Sequence, residues 1–343
     1  MATGTRQRVR LSDIAAEASV SRAVVGHVLL GSGTNIRVSK ATTTRVREVA
    51  QRLNYRPNQN ARGLKGAPTN LIAALIRADR ARVGYERLSA VEREADRRGY
   101  RLIIGQVRGQ PNRVLRYIDD FESRNMDGMI YLDYPIPPEV HVVLEGQPVV
   151  FNTDPGIPGA YYVEVDRAAG VRMAVAHLIS RGRRAPVLML PGMRWRTSHE
   201  RVCGFTEACQ ANGIKDAAKR ISMFGECDAD IIDHDALRQS VDKALNALHA
   251  DSLVVSNDIW AVAIIKHLKT LGLAVPEDIA VTGFDNQPIA AAVEPELTTV
   301  DQRHTAFAKA AVDLLLQQIR GDQVPKAKRR VLIEPELVVR AST

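Results

Sequence analysis

From residue 71 onward the chain alternates short, almost wholly apolar runs with longer amphipathic stretches. The apolar runs are "LIAALI" (71–76), "RLIIGQV" (101–107), "GMIYLD" (128–133), "PVVFN" (148–152), "APVLML" (185–190), "SLVVSN" (252–257) and "IAVTGF" (279–284). Between them lie "YERLSAVEREADRRGY", "VLRYIDDFESRN", "AGVRMAVAHLISRG", "RVCGFTEACQANG" and "WAVAIIKHLKTLG", whose apolar residues recur at helical spacing. A strand that is apolar along its whole length must be covered on both faces, and a strand–helix–strand succession joins parallel neighbours. So long a series predicts two doubly wound parallel-sheet lobes rather than one.

The first 66 residues are chemically different. They hold twelve Lys and Arg against three acids (Asp13, Glu17, Glu48), a net +9, which exceeds the +8 of the whole 343-residue chain. All the excess charge therefore lies before the turn-rich joint "GAPTN" (66–70), as expected of a segment that meets a polyanion. A solubilising tail would be basic too, but it would lack the apolar periodicity found here. Ser12 is positioned to cap "DIAAEA", Ser21 to cap a second helix running to about Leu30, and Ser39 a third carrying Val46, Val49, Ala50 and Leu53 on one stripe. Two short helices across a tight turn, followed by a third, make a helix-turn-helix head. Its second helix would enter the major groove, where Ser21, Arg22, Ala23 and His27 are the candidate DNA-contacting residues. Arg and His can donate to guanine acceptors, and a small Ala can approach a thymine methyl. Arg45, Arg47 and Arg52 are expected at backbone phosphates.

Three stretches, "LSDIAAEASVSRAVVGHVL", "VSKATTTRV" and "LNYRPNQNARGLKG", resemble the head and hinge of the lactose- and purine-repressor (LacI) family of bacterial transcription regulators. The loop "GSGTNIR" is longer than the family's, and Gly26-His27 stands where it often has Ser-Arg, so no operator sequence is implied. Pro57 and Asn58 suit the start of one short hinge helix in "NQNARGL", which Gly63 weakens. The resemblance implies that this segment folds on the operator, with Leu64 as a wedge in the minor groove and Ala61 packing between two hinges; Asn58, Ala61, Leu64 and Lys65 complete the DNA-contacting set.

Sheets of this kind bind ligands outside the carboxyl ends of their strands. The polar residues there are Asp79, Asn152-Thr153-Asp154, Asn257-Asp258 and Asp285-Asn286, with Arg201 opening a helix after "VLML". Such a set suits the hydroxyls of a sugar-like solute. Asp258 and Asn286 read more simply as turn and cap residues. The segments "RVCGF", "SNDIWAV", "VPEDIAVTGFDN", "PELTTVDQ" and "LIEPELVVRAST" resemble landmarks of the same family, which implies that Arg201, Asn257 and Asp285 contact an effector. Asp79, Asn152 and Trp195 are the further candidates. Departures fall in the same region: "RARVGY" at 80–85, "VDR" at 165–167 for V-D-N, "RGRR" at 181–184, and "GEC" at 225–227 without a stacking aromatic.

The expectation is an all-α helix-turn-helix head (1–56), a hinge and linker (57–70), a first lobe (71–166 with 301–330) and a second lobe (167–300 with 331–343), the lobes being periplasmic-binding-protein-like. The function that follows is a cytoplasmic homodimeric regulator, a repressor before an activator, holding a palindromic DNA operator under control of a sugar or polyol, with a nucleoside or purine as second choice. A transport solute-binding protein would have no use for residues 1–66. An enzyme would need a nucleophile–base pair, a P-loop or G-x-S-x-G, and none is present. Cys203, Cys209 and Cys227 are odd in number and form no C-x-x-C pair, which speaks against a disulfide framework or zinc site. No catalytic residue, metal or cofactor is expected, and no apolar run approaches the ~20 residues that cross a bilayer.

Overall fold

A computed structural model describes residues 9–30, 36–55, 68–77, 82–107, 110–123, 126–133, 136, 138–192, 196–225 and 233–343. The chain divides into two compact units, Met1–Thr69 and Asn70–Thr343.

The first unit contains α1 (Leu11–Glu17), α2 (Arg22–Leu30) and α3 (Lys40–Arg52). Ile14, Ala15, Ala18, Val25, Val46, Val49 and Ala50 form its core. The turn between α1 and α2 is tight enough to put Ser19 at a φ of 51°. Ser21 and Ser39 cap as expected: their hydroxyls accept from the N–H groups of Val24 (3.3 Å) and Thr42 (3.1 Å). Ser12 does not. The helix begins one residue before it, and the Asp13 carboxylate reaches back to the Arg10 N–H at 2.7 Å. A carboxylate on the first turn satisfies an orphan donor and the helix dipole together, which a serine at position 12 could not do.

The second unit is built on two six-stranded sheets. The first has the order β11-β5-β4-β3-β1-β2, from β1 (Leu71–Ile76), β2 (Arg101–Gln106), β3 (Gly128–Tyr131), β4 (Val149–Phe151), β5 (Tyr162–Val165) and β11 (Arg330–Ile333), all parallel. The second has the order β12-β10-β9-β8-β6-β7, from β6 (Pro186–Leu190), β7 (Ile221–Met223), β8 (Ser252–Val255), β9 (Ala280–Phe284), β10 (Thr298–Asp301) and β12 (Glu336–Val338). Its strands are parallel except β12, which runs antiparallel to β10. The helices are α4 (Arg82–Arg97), α5 (Pro111–Ser123), α6 (Pro138–Val143), α7 (Arg167–Ser180), α8 (Arg196–Ala211), α9 (His234–Asn246), α10 (Asp258–Thr270) and α11 (His304–Ile319).

The seven apolar runs are all strands, and each is buried along most of its length; β2, at a sheet edge, is the exception. β5, β7, β10, β11 and β12 are three or four residues long, too short to carry a period of their own. The chain passes between the sheets after β5, after β10 and after β11. The third passage corrects the expected boundary after residue 330. Val331, Leu332 and Ile333 pair with Val163, Glu164 and Val165 and therefore belong to the first lobe. The ladder, which satisfies their backbone groups, outweighs any pattern visible in so short a run.

Candidate functional site

On the head, Arg22 and Ala23 lie exposed on the first turn of α2, and His27 is half-buried one turn on. Val25, between them, faces the core. Arg45 and Arg47 are exposed on α3, free to meet a polyanion. Arg52 is exposed as well, with its guanidinium paired with Glu17 on α1. Asn58, Ala61, Leu64 and Lys65 lie outside the described residues, as do Asp79 and Trp195.

In the second unit three predicted residues gather at the ends of β8 and β9. Asn257 follows β8 and caps α10: its Oδ1 accepts from the Ile259 N–H at 2.8 Å, while its Nδ2–H donates to Asp285 at 3.0 Å. Asp285 follows β9 at a φ of 104°, where its backbone N–H donates to Val300 (2.8 Å). The Gln302 amide donates to the other oxygen of this carboxylate. Burial raises the Asp285 carboxyl above the usual range, and the charge of Arg201 opposes that rise. Arg201, on α8, places its guanidinium carbon over the Phe284 ring, 4.4 Å from the centroid, and donates to the Thr197 carbonyl of its own helix at 3.1 Å. Burial pushes its guanidinium down to about 10, still a cation at neutral pH.

The structure adds residues not anticipated as site residues. Arg87, on α4 of the first lobe, donates to Gln302 at 3.0 Å and covers the Phe307 ring at 4.5 Å. Gln302 thus joins a first-lobe helix to Asp285 of the second lobe. Arg167 opens α7 and pairs with Glu200 at 3.0 Å, and Arg196 bridges Glu200 (2.9 Å) to Glu164 of the first sheet (3.0 Å). His304 is half-buried beside this group; desolvation, with Arg87 the leading charge, pushes its imidazole down to about 3, so it is neutral. One signal was legible. Arg87 precedes Val91 and Ala95 by four and eight residues on α4, so a charge occupies a buried stripe. Arg167 is the Arg of "VDR".

Asn152 is half-buried at the end of β4, where its amide donates to the Leu132 carbonyl at 2.9 Å; among the described residues no hydrogen bond joins it to the Asp285 group. Asp154 closes a turn on the Gly156 N–H (2.8 Å). Asp258 and Asn286, expected as turn and cap residues, instead hold distant parts of the chain together, and the cap of α10 is Asn257. Asp258 is fully buried and accepts from the Gln287 N–H (2.6 Å) and the Thr299 hydroxyl (2.5 Å), pinning the loop that carries Asp285. Asn286 bridges Arg340 and Asp301, both at 2.8 Å.

A basic helix-turn-helix unit and a two-lobed parallel core with polar side chains at its strand ends define a DNA-binding regulator with a solute-binding type of core. Residues 10–58 match the lacI family of bacterial regulatory proteins, and residues 175–343 a periplasmic binding protein-like domain. The chain is 30% identical over 342 residues to the HTH-type transcriptional repressor PurR of Aliivibrio fischeri (strain MJ11), covering 97% of each. Its fold is similar to that of a transcriptional regulator CelR–cellobiose complex (TM-score 0.69, 25% identity, 98% of this chain and 100% of that one). It is also similar to the lac repressor dimer bound to operator and the anti-inducer ONPF (TM-score 0.83, 23% identity, 98% and 99%). The chain belongs to the LacI family of bacterial regulatory proteins and is a transcription regulator, not an enzyme. Among the described residues no helix is long and apolar enough to cross a membrane.

Proposed function

We propose that this regulator is a cytoplasmic repressor that binds a two-fold-symmetric operator as a homodimer. In this reading α2 lies in the major groove with Arg22, Ala23 and His27 at base edges and Ser21 at its start. Asn58, Ala61, Leu64 and Lys65 of the hinge contact the minor groove. A sugar-like effector is held by Arg201, Asn257 and Asp285, with Asp79, Asn152 and Trp195 completing the set. The observation that carries the proposal is the convergence of Arg201, Asn257 and Asp285, brought together from 84 residues of chain. They lie in a chain whose separate basic head exposes Arg22 and Ala23.

An effector that binds the operator-bound and free forms unequally shifts the equilibrium between them by that difference and no more. Gln302 suits this role, since it joins the lobes through Arg87 and Asp285. Gel shifts on the promoter of the protein's own gene, with and without compounds that raise the melting temperature, test the proposal. Specific retardation that such a compound changes supports it. Binding equally strong on unrelated DNA overturns it.

A further inference from the structure

Arg87 and Arg201 are 7% and 8% exposed, yet each uses few of its five N–H donors. Arg87 donates to Gln302 and Arg201 to Thr197, and the Nε atom of each is buried with no acceptor. Among the described residues no carboxylate forms a hydrogen bond or ion pair with either guanidinium. Asp285, the acid whose charge acts on both, accepts from Asn257 and Gln302 instead. Arg167 brings a third positive charge close enough to act on both, and its partner Glu200 is shared with Arg196.

A buried guanidinium without an anion is costly, because desolvation is offset only by a partner that accepts its hydrogen bonds. The fold does not require this cost. Arg87 lies on the stripe of Val91 and Ala95, where an apolar side chain would continue the buried face of α4. Among the described residues the group therefore has donors in excess and a local surplus of positive charge. A sugar hydroxyl brings a donor with every acceptor, whereas a carboxylate or phosphate brings acceptors alone and matches the guanidinium fork.

We propose that the effector carries a carboxylate or phosphate group, held by Arg87 together with Arg201, and is thus an acidic sugar derivative rather than a neutral sugar. This rests on the reading of the Arg201, Asn257 and Asp285 group as the effector site. Arg87 selects the anion, and its link through Gln302 to Asp285 couples that selection to the second lobe.

The test uses the full-length protein and the Arg87→Leu variant, with Arg93→Leu on the exposed face of the same helix as control. Each is titrated with glucose, gluconate, glucuronate, a hexose phosphate and inorganic phosphate at constant ionic strength, with melting temperature as the readout. One or more of the anions should give a saturable rise in the parent and in Arg93→Leu that glucose does not match. Arg87→Leu should need about tenfold more of that anion or beyond, the scale of one lost charge-assisted contact, while melting no lower than the parent without ligand. Preference among the acids and the phosphates distinguishes the two sources of the anion. Should the leucine variant not fold, Arg87→Gln gives the same comparison. The proposal is overturned if glucose binds as tightly as the anions, if the Arg87 variants respond like the parent, or if no anion gives a saturable shift. Operator affinity of the unliganded parent, measured separately, tests the regulator reading alone.

Discussion

Asn257 and Asp285 are joined by a 3.0 Å hydrogen bond between the ends of neighbouring strands, so one polar side chain both caps a helix and orients a buried carboxylate. The two duties use different atoms, which makes them separable. Asn257→Ala should lose the cap, about 1 kcal/mol, together with the hydrogen bond to buried Asp285, roughly 1–3 kcal/mol more. Asn257→Ser should keep the cap and lose the reach to Asp285. Urea unfolding of both variants checks this: similar losses would mean that the cap contributes nothing, and a parent-like Asn257→Ser would mean that the contact with Asp285 contributes nothing.

Arg22→Ala should cost about 1–3 kcal/mol at the preferred operator and relax discrimination at one symmetric pair of positions. Affinities across single-base operator variants measure it. A uniform loss on every sequence would make Arg22 a phosphate contact.

Gly204, on α8, faces α7 so closely that a Cβ would lie 2.3 Å from the Ala168 carbonyl oxygen and 2.7 Å from its Cα. These are backbone atoms, so the helices themselves would have to part. Gly204→Ala should destabilise the core by about 1–3 kcal/mol. It should also move Arg201 and Glu200 on α8 away from Arg167 on α7, so the response to effector weakens with the stability. Thermal unfolding and effector titration of the same variant check both; an unchanged melting temperature would contradict the packing argument.

The Asp258 carboxyl is pushed up to about 8, first by burial and then by the charge of Asp285. In the unfolded chain it titrates at about 3.9. Between these values the folded protein holds a proton that the unfolded chain has released, so this group's contribution to stability falls as pH rises through that window. Asp258→Asn, neutral throughout, lacks that slope. The melting temperature of the variant relative to the parent should therefore climb from about pH 4 to about pH 8 and level off above it. Parallel curves would show that the parent's carboxyl is already ionised at the lower pH.

The architecture was legible in the order of residues alone. Runs such as "LIAALI" and "SLVVSN" cannot be half-exposed without placing several large apolar side chains in water, so they must be central strands whatever else surrounds them. The basic head was equally legible, because serine caps and apolar stripes act over three or four residues. Local rules erred where a competing local interaction was stronger, as with Asp13 over Ser12, or where a strand such as Arg330–Ile333 owes its existence to its partner.

Part of the candidate site was legible for the same reason: Asn257 and Asp285 end strands, and strand ends face the cleft. Which charges share one buried space follows from the folded chain and not from any local pattern. Arg87, Arg167, Arg201, Asp285 and Gln302 span 215 residues between the first and the last, and no periodicity links them. Their protonation and their unmet donors follow from desolvation and from distances of a few ångströms. Both are set by how the two lobes close on each other rather than by the order of residues along the chain.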